Sequence, residues 1–178
     1  MLNGQNIFLR GLELTDVPEI MKHWNNVEVK KFLNSSVPHS IQEEEEWVKN
    51  TWKQRKDGKS FSFAIIYKAT DLYIGNIEID IISQNSRRGV IGIAIFNQDY
   101  WNKGFGTESI QVLLKFAFNI LNLNSVELEV FANNQRAIQC YKNCGFEQTG
   151  VRREAIFMEG EYFDSLLLDI TVNEWKSI

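Results

Sequence analysis

Ile91-Gly-Ile-Ala-Ile-Phe96, then Trp101-Asn-Lys-Gly-Phe-Gly-Thr107, is the stretch whose reading decides the fold. The first piece is a strand, apolar on both faces and so central to a sheet. The second is a turn that opens a long amphipathic helix carrying Ile110, Leu113, Leu114, Ala117, Ile120 and Leu121 at helical spacing. Helix starts leave backbone N–H groups unpaired and carry positive dipole charge. Glycine at 104 and 106 lets the main chain approach an anion without Cβ obstruction. The N–H groups of Asn102, Lys103, Gly104, Phe105, Gly106 and Thr107 then suit a diphosphate, with Lys103 adding charge and Thr107 a hydroxyl. Taken alone, this Gly-x-Gly reads more readily as an ordinary tight strand-to-helix turn. It is no Walker loop, because Gly-Lys-Ser/Thr does not occur in it. A dinucleotide fingerprint would need a third glycine where Ser109 stands.

Downstream, Val126-Glu-Leu-Glu-Val-Phe-Ala132 reads as a strand and Asn134 to Asn143 as a helix. Asn134 and Tyr141 are seven residues apart, close to two helical turns, so an amide and a phenol share one face. The structural reading of the same pair is a helix cap and an amphipathic core tyrosine.

Upstream, Asn6 to Arg10 is an opening strand, and Thr15 caps a helix running to about Trp24. Ser40 and Glu43 form a capping box for a helix that ends at Lys56-Asp57-Gly58-Lys59. Strands follow over Phe61 to Tyr67 and Ile74 to Ile82, the latter with Asn76, Glu78 and Asp80 on its polar face. The chain closes with strands near Val151 to Met158 and Tyr162 to Val172. The expected fold class is mixed α/β: seven strands, antiparallel in the first half, in one domain over residues 1–178. Glu43 to Glu46 reads as a solvated first helical turn rather than an amine site.

The chain has 178 residues, 44% hydrophobic, with a net charge of −4 and no basic block. That composition suits a soluble globular protein and argues against nucleic acid or an acidic membrane as the main partner. No apolar run approaches the roughly 18 residues of a membrane span. Cys140 and Cys144, four apart on a helix, suggest no disulfide framework and a reducing cytoplasm. His23 and His39 have no cysteine cluster beside them, so no metal site is expected.

Trp101-Asn-Lys-Gly104-Phe-Gly106, with Asn134, Ala137, Tyr141, Gly145 and Phe146, resembles the paired signatures of the GNAT acetyltransferase superfamily. Phe8-Leu-Arg-Gly-Leu-Glu-Leu-Thr-Asp16 and Gly160-Glu-Tyr-Phe-Asp164 resemble its branch of ribosomal-protein N-terminal (alanine/serine) and spermidine N-acetyltransferases. The resemblance covers nearly the whole chain. It implies an acyl-CoA N-acyltransferase fold, its sheet splayed at the centre between the 91–96 and 126–132 strands, with acetyl-CoA in the cleft. Pantetheine would pair with backbone groups of Ala94, Ile95 and Phe96, as an added strand does. Asn134 would hold the pantetheine arm, and the diphosphate would rest on the 102–107 turn.

The implied reaction is direct attack of a primary amine on the thioester through a tetrahedral intermediate. A backbone N–H near Phe96 would serve the oxyanion and Tyr141 the departing thiolate. Glu78, which resembles in place an acidic residue of spermidine-acetylating relatives, is the candidate base through water, with Asp80 beside it. The cysteines are expected to be packed or idle. Trp101 departs from the Gln or Arg of the signature, so any side-chain contact made from that position would be lost. The acceptor class stays open among protein N-termini, polyamines and other small amines, and is expected to be chosen by residues 24–40 and 159–163. A homodimer is left open. The rival reading is a non-catalytic CoA-binding or sensor module, which the presence of Tyr141 opposes. A nucleotide-binding oxidoreductase is a weaker third, opposed by the missing third glycine.

Overall fold

Two strands open the chain in the computed structural model, which describes residues 2–33 and 37–178. They are β1 (Leu2–Asn3) and β2 (Ile7–Gly11). A 3-10 turn over Leu14–Asp16, capped by Glu13, leads into α1 (Val17–Trp24), so Thr15 lies inside the turn instead of capping the helix. A single helical turn, α2 (Val27–Lys30), precedes α3 (Ile41–Lys56). Ser40 and Glu43 exchange both capping-box hydrogen bonds at the start of α3.

The next elements are β3 (Ser60–Tyr67), β4 (Leu72–Ser83), β5 (Arg88–Ile95), α4 (Phe105–Asn119), β6 (Ser125–Phe131) and α5 (Gln135–Asn143). The chain finishes with β7 (Glu147–Met158), β8 (Glu161–Thr171) and α6 (Val172–Ser177). The sheet has eight strands in the order β1-β2-β3-β4-β5-β6-β8-β7, one more than expected, because β1 pairs with β2 through only two residues. A strand that short leaves no period to read.

Alternation divides the core into two layers. Ile77, Ile79 and Ile91 face α4, where Ile110, Leu113, Leu114 and Ala117 are buried against them and Val126. Burial of each such side chain stabilises by about 1.5–3 kcal/mol, several times a residue's helix propensity, so packing holds α4 in place. On the other face Ala64, Ile66, Tyr73 and Phe96 meet Leu12, Val17, Ile20, Val29 and Val48 from α1 to α3. Ile120 follows α4 and is exposed, unlike the buried stripe it was expected to extend.

The one parallel contact in the sheet matters most. β5 and β6 pair only through Arg88↔Ser125, Gly89↔Val126 and Val90↔Glu127. From Ile91 onward they have parted, and the sheet opens into a cleft. The expectation of a splayed centre is met.

Candidate active site

The cleft is a cavity of about 670 Å³ that passes from the α4–α5 side of the sheet to the α2 side. Its floor is β5 from Ile91 to Ile95, and its far wall is Glu129 to Phe131 of β6. Asn102, Gly104, Phe105, Gly106 and Thr107 line one end, and Asn134, Ala137, Cys140 and Tyr141 line the wall contributed by α5.

Gly104 is the N-cap residue of α4, at φ +82°, and no side chain caps the helix there. Asn102 is also left-handed, at φ +58°. This alternation turns successive N–H groups into one concavity. The first N–H that bonds within the helix is that of Glu108, to the Gly104 carbonyl, at 3.0 Å. Those of Phe105, Gly106 and Thr107 have no helical acceptor and face the end of the cleft, which suits an anion. The Lys103 ammonium sits 5.8 Å over the Tyr100 ring.

The β5 edge is placed by its antiparallel partner. The Phe96 N–H donates to the Ile74 carbonyl at 3.0 Å, and the Ala94 carbonyl oxygen lies against Gly75. Backbone groups alternate along a strand, so Ile93 and Ile95, not Ala94 and Phe96, present theirs to the cleft. Of the three residues expected to pair, Ile95 turns its backbone groups to the cleft, whereas those of Ala94 and Phe96 point to β4, where the Phe96 N–H is already engaged. The Ile95 carbonyl accepts from the Trp101 indole N–H at 2.7 Å. The Arg136 guanidinium stacks 3.7 Å over that same indole. The position expected to lose its side-chain contact thus anchors a cation on the cleft wall.

Asn134 accepts from the Ala137 N–H at 3.2 Å through its side-chain oxygen, as a cap does, which leaves the amide nitrogen for the cleft. The Tyr141 ring is 7% exposed and packs edge-on against Phe146. Burial, and then the two cysteine thiols, push its hydroxyl well above the usual tyrosine range, so it keeps its proton. Cys140 is packed against the core and lines the cleft wall, its sulfur 3.3 Å from the Thr107 hydroxyl. The Cys144 thiol donates to the Thr107 carbonyl at 3.5 Å, and its nearness, then Thr107 and Arg136, lower the Cys140 pKa against burial.

Glu78 lies on the other face of β4 and lines a separate depression with Asn50, Thr51, Gln54 and Ser62. Ser62 donates to it at 3.2 Å. Burial first, and Asp80 next, raise its pKa. Gly92, its cross-strand partner, lines the cleft, and a Cβ there would stand 3.3 Å from the Glu78 carboxylate.

The Acetyltransferase (GNAT) domain model matches residues 6–147. The chain belongs to the GNAT acetyltransferase family. It is 30% identical over 163 residues to the spermidine N(1)-acetyltransferase of Vibrio cholerae, covering 92% of this chain and 91% of that one. An uncharacterized N-acetyltransferase p20 of Bacillus licheniformis is 27% identical over 174 residues, at 98% and 97% coverage. A crystal structure of the Vibrio cholerae spermidine N-acetyltransferase with CoA and spermine superposes at a TM-score of 0.86, with 28% identity and coverage of 97% and 99%. This chain is accordingly an N-acetyltransferase.

In this acetyltransferase the α2 side of the cleft was the part least visible beforehand. Val29, Phe32 and Leu33 face Phe131, and the Phe32 and Phe131 rings meet edge-on at 5.8 Å. Glu129 stands two residues before Phe131 on the same strand face, bonded to Ser165 and, at 2.5 Å, to Arg152. The alternation in Val126-Glu-Leu-Glu-Val was the available signal for that carboxylate. Residues 34–36 of the expected acceptor segment lie outside the described residues. Among the described residues, no group of His, Cys, Asp and Glu is arranged to hold a metal, and no helix is long and apolar enough to cross a membrane.

Proposed function

We propose that the enzyme transfers the acetyl group of acetyl-CoA to a primary amine by direct attack. The observation that carries this reading is the parting of β5 from β6 directly beside the uncapped start of α4. An extended pantetheine arm fits a strand edge that has lost its partner, and a diphosphate fits the free N–H groups of Phe105, Gly106 and Thr107. Lys103 and Arg136 add positive charge at that end. Ile93 supplies edge hydrogen bonds, and the Asn134 amide nitrogen donates from the opposite wall.

The amine arrives from the α2 side, since α4 and α5 close the other. As its nitrogen bonds to the thioester carbon, charge grows on the carbonyl oxygen, where the cleft-facing Ile95 N–H takes the oxyanion role first given to Phe96. The carbon–sulfur bond then breaks, and the protonated Tyr141 hydroxyl hydrogen-bonds to the leaving thiolate and protonates it. The amine's surplus proton goes to Glu78 through water in the gap over Gly92. The raised pKa of Glu78 brings it toward the range in which a carboxylate works as a base at neutral pH.

The test is thiol release from acetyl-CoA with a panel of amines, comparing the native chain with Tyr141→Phe. The variant keeps the buried ring and removes the proton. Its kcat is expected to fall about a hundredfold, with KM for acetyl-CoA little changed. An unchanged kcat, with pre-steady-state kinetics showing chemistry to be rate-limiting, would remove Tyr141 from the mechanism.

A further inference from the structure

We propose that the acceptor is a small monoamine with an aliphatic or aromatic body, and that the enzyme discriminates against polyamines. This inference rests on the transferase reading above and concerns only which amine is taken.

A polyamine carries several ammonium groups, and each one drawn out of water needs a carboxylate or a comparable partner. The α2 side of the cleft offers few. Among the described residues that line the cavity, Glu129 is the one acidic side chain. Both of its oxygens are already in use, one by the Ser165 hydroxyl and the other by the Arg152 guanidinium. The arginine neutralises its charge, and the second lone pair on each oxygen remains to accept an N–H.

Residues 29–33 of this wall contain no Asp or Glu, and Lys30 and Lys31 stand among them. Glu78 and Asp80 share the depression under α3 with Lys59, outside the cavity. Neither lines the cavity, and Glu78 comes nearest to it beside Gly92, where a Cβ would stand 3.3 Å from its carboxylate.

The same wall is well suited to an apolar body. Val29, Phe32 and Leu33 stand opposite Phe131. An alkyl or aryl group laid along them leaves water without stranding a charge. An acceptor nitrogen with one N–H on Glu129 would then hold its lone pair toward β5.

The experiment compares kcat/KM for phenethylamine, ethylamine, putrescine and spermidine at saturating acetyl-CoA, each corrected for its free-base fraction. Phenethylamine should exceed spermidine by roughly tenfold or more, the return on burying its ring. Phe32→Ala should remove most of that advantage, lowering kcat/KM for phenethylamine several times more than for ethylamine. Spermidine turned over as well as or better than phenethylamine would overturn the proposal. So would a Phe32→Ala variant in which ethylamine and phenethylamine fall equally. Absence of transfer to every amine by protein that still binds CoA would instead take away the transferase reading, and the selectivity with it.

Discussion

Glu44 shows how much one residue's surroundings change its chemistry. It stands in the first turn of α3 among four consecutive glutamates, yet it is only 4% exposed. Burial lifts its pKa to about 7. His39 does not offset this, because its Nδ1, 3.8 Å from the Glu44 carboxylate, accepts the Trp24 indole N–H at 2.8 Å. The folded pKa exceeds the ordinary value of 4.5, so the folded state binds more protons between about pH 4.5 and 7. Stability is therefore highest below that window and falls as pH rises through it. One pKa unit is worth about 1.4 kcal/mol, and screening near the helix start reduces the sum. Glu44→Gln should raise unfolding stability at pH 8 by about 2 kcal/mol and flatten its decline between pH 5 and 7, as read by urea titration. An unchanged pH profile would show that Glu44 ionises freely. Four identical glutamates cover every direction around one turn, so no pattern in the sequence marks the one that points inward. That is why the whole run read as solvated.

At the scale of elements, the second turn of α5 lies against the first turn of α4. Cys140 meets Thr107 there, with Arg136 one turn earlier on its own helix. Beside Cys144 and Thr107 and flanked by a cation, this thiol should titrate below the ordinary value. Its alkylation by iodoacetamide should level off at a lower pH than that of an ordinary thiol, be slowed by saturating coenzyme A, and vanish in Cys140→Ser. An apparent pKa at the ordinary value of about 8.5, together with no protection by coenzyme A, would contradict this packing of the helices. The start of α4, the Asn134 cap and the Ser40–Glu43 box were legible because each depends on local residue chemistry. β1, α2 and α6 were not, since two to six residues give no period to detect. Ala94 and Phe96 were grouped with Ile95 as cleft-facing for a related reason. A strand apolar on both faces has no alternation to read, and only its pairing with β4 sets which N–H points where.

For the whole molecule, function depends on a defect in the sheet. Three residue pairs join β5 to β6, and beyond them the strands separate, so that the sheet itself supplies an unpaired edge beside the uncapped start of α4 and a passage to the α2 side. The two motif segments implied this arrangement through their resemblance to acetyltransferases. The wall proposed for the acceptor was not legible, because Phe32, Phe131, Glu129, Arg152 and Ser165 meet there from four separate parts of the chain. A crystal structure with coenzyme A tests the central claim most directly. The account predicts the diphosphate on the N–H groups of Phe105, Gly106 and Thr107, and the pantetheine arm hydrogen-bonded to Ile93. Coenzyme bound elsewhere, with that turn empty, would contradict it.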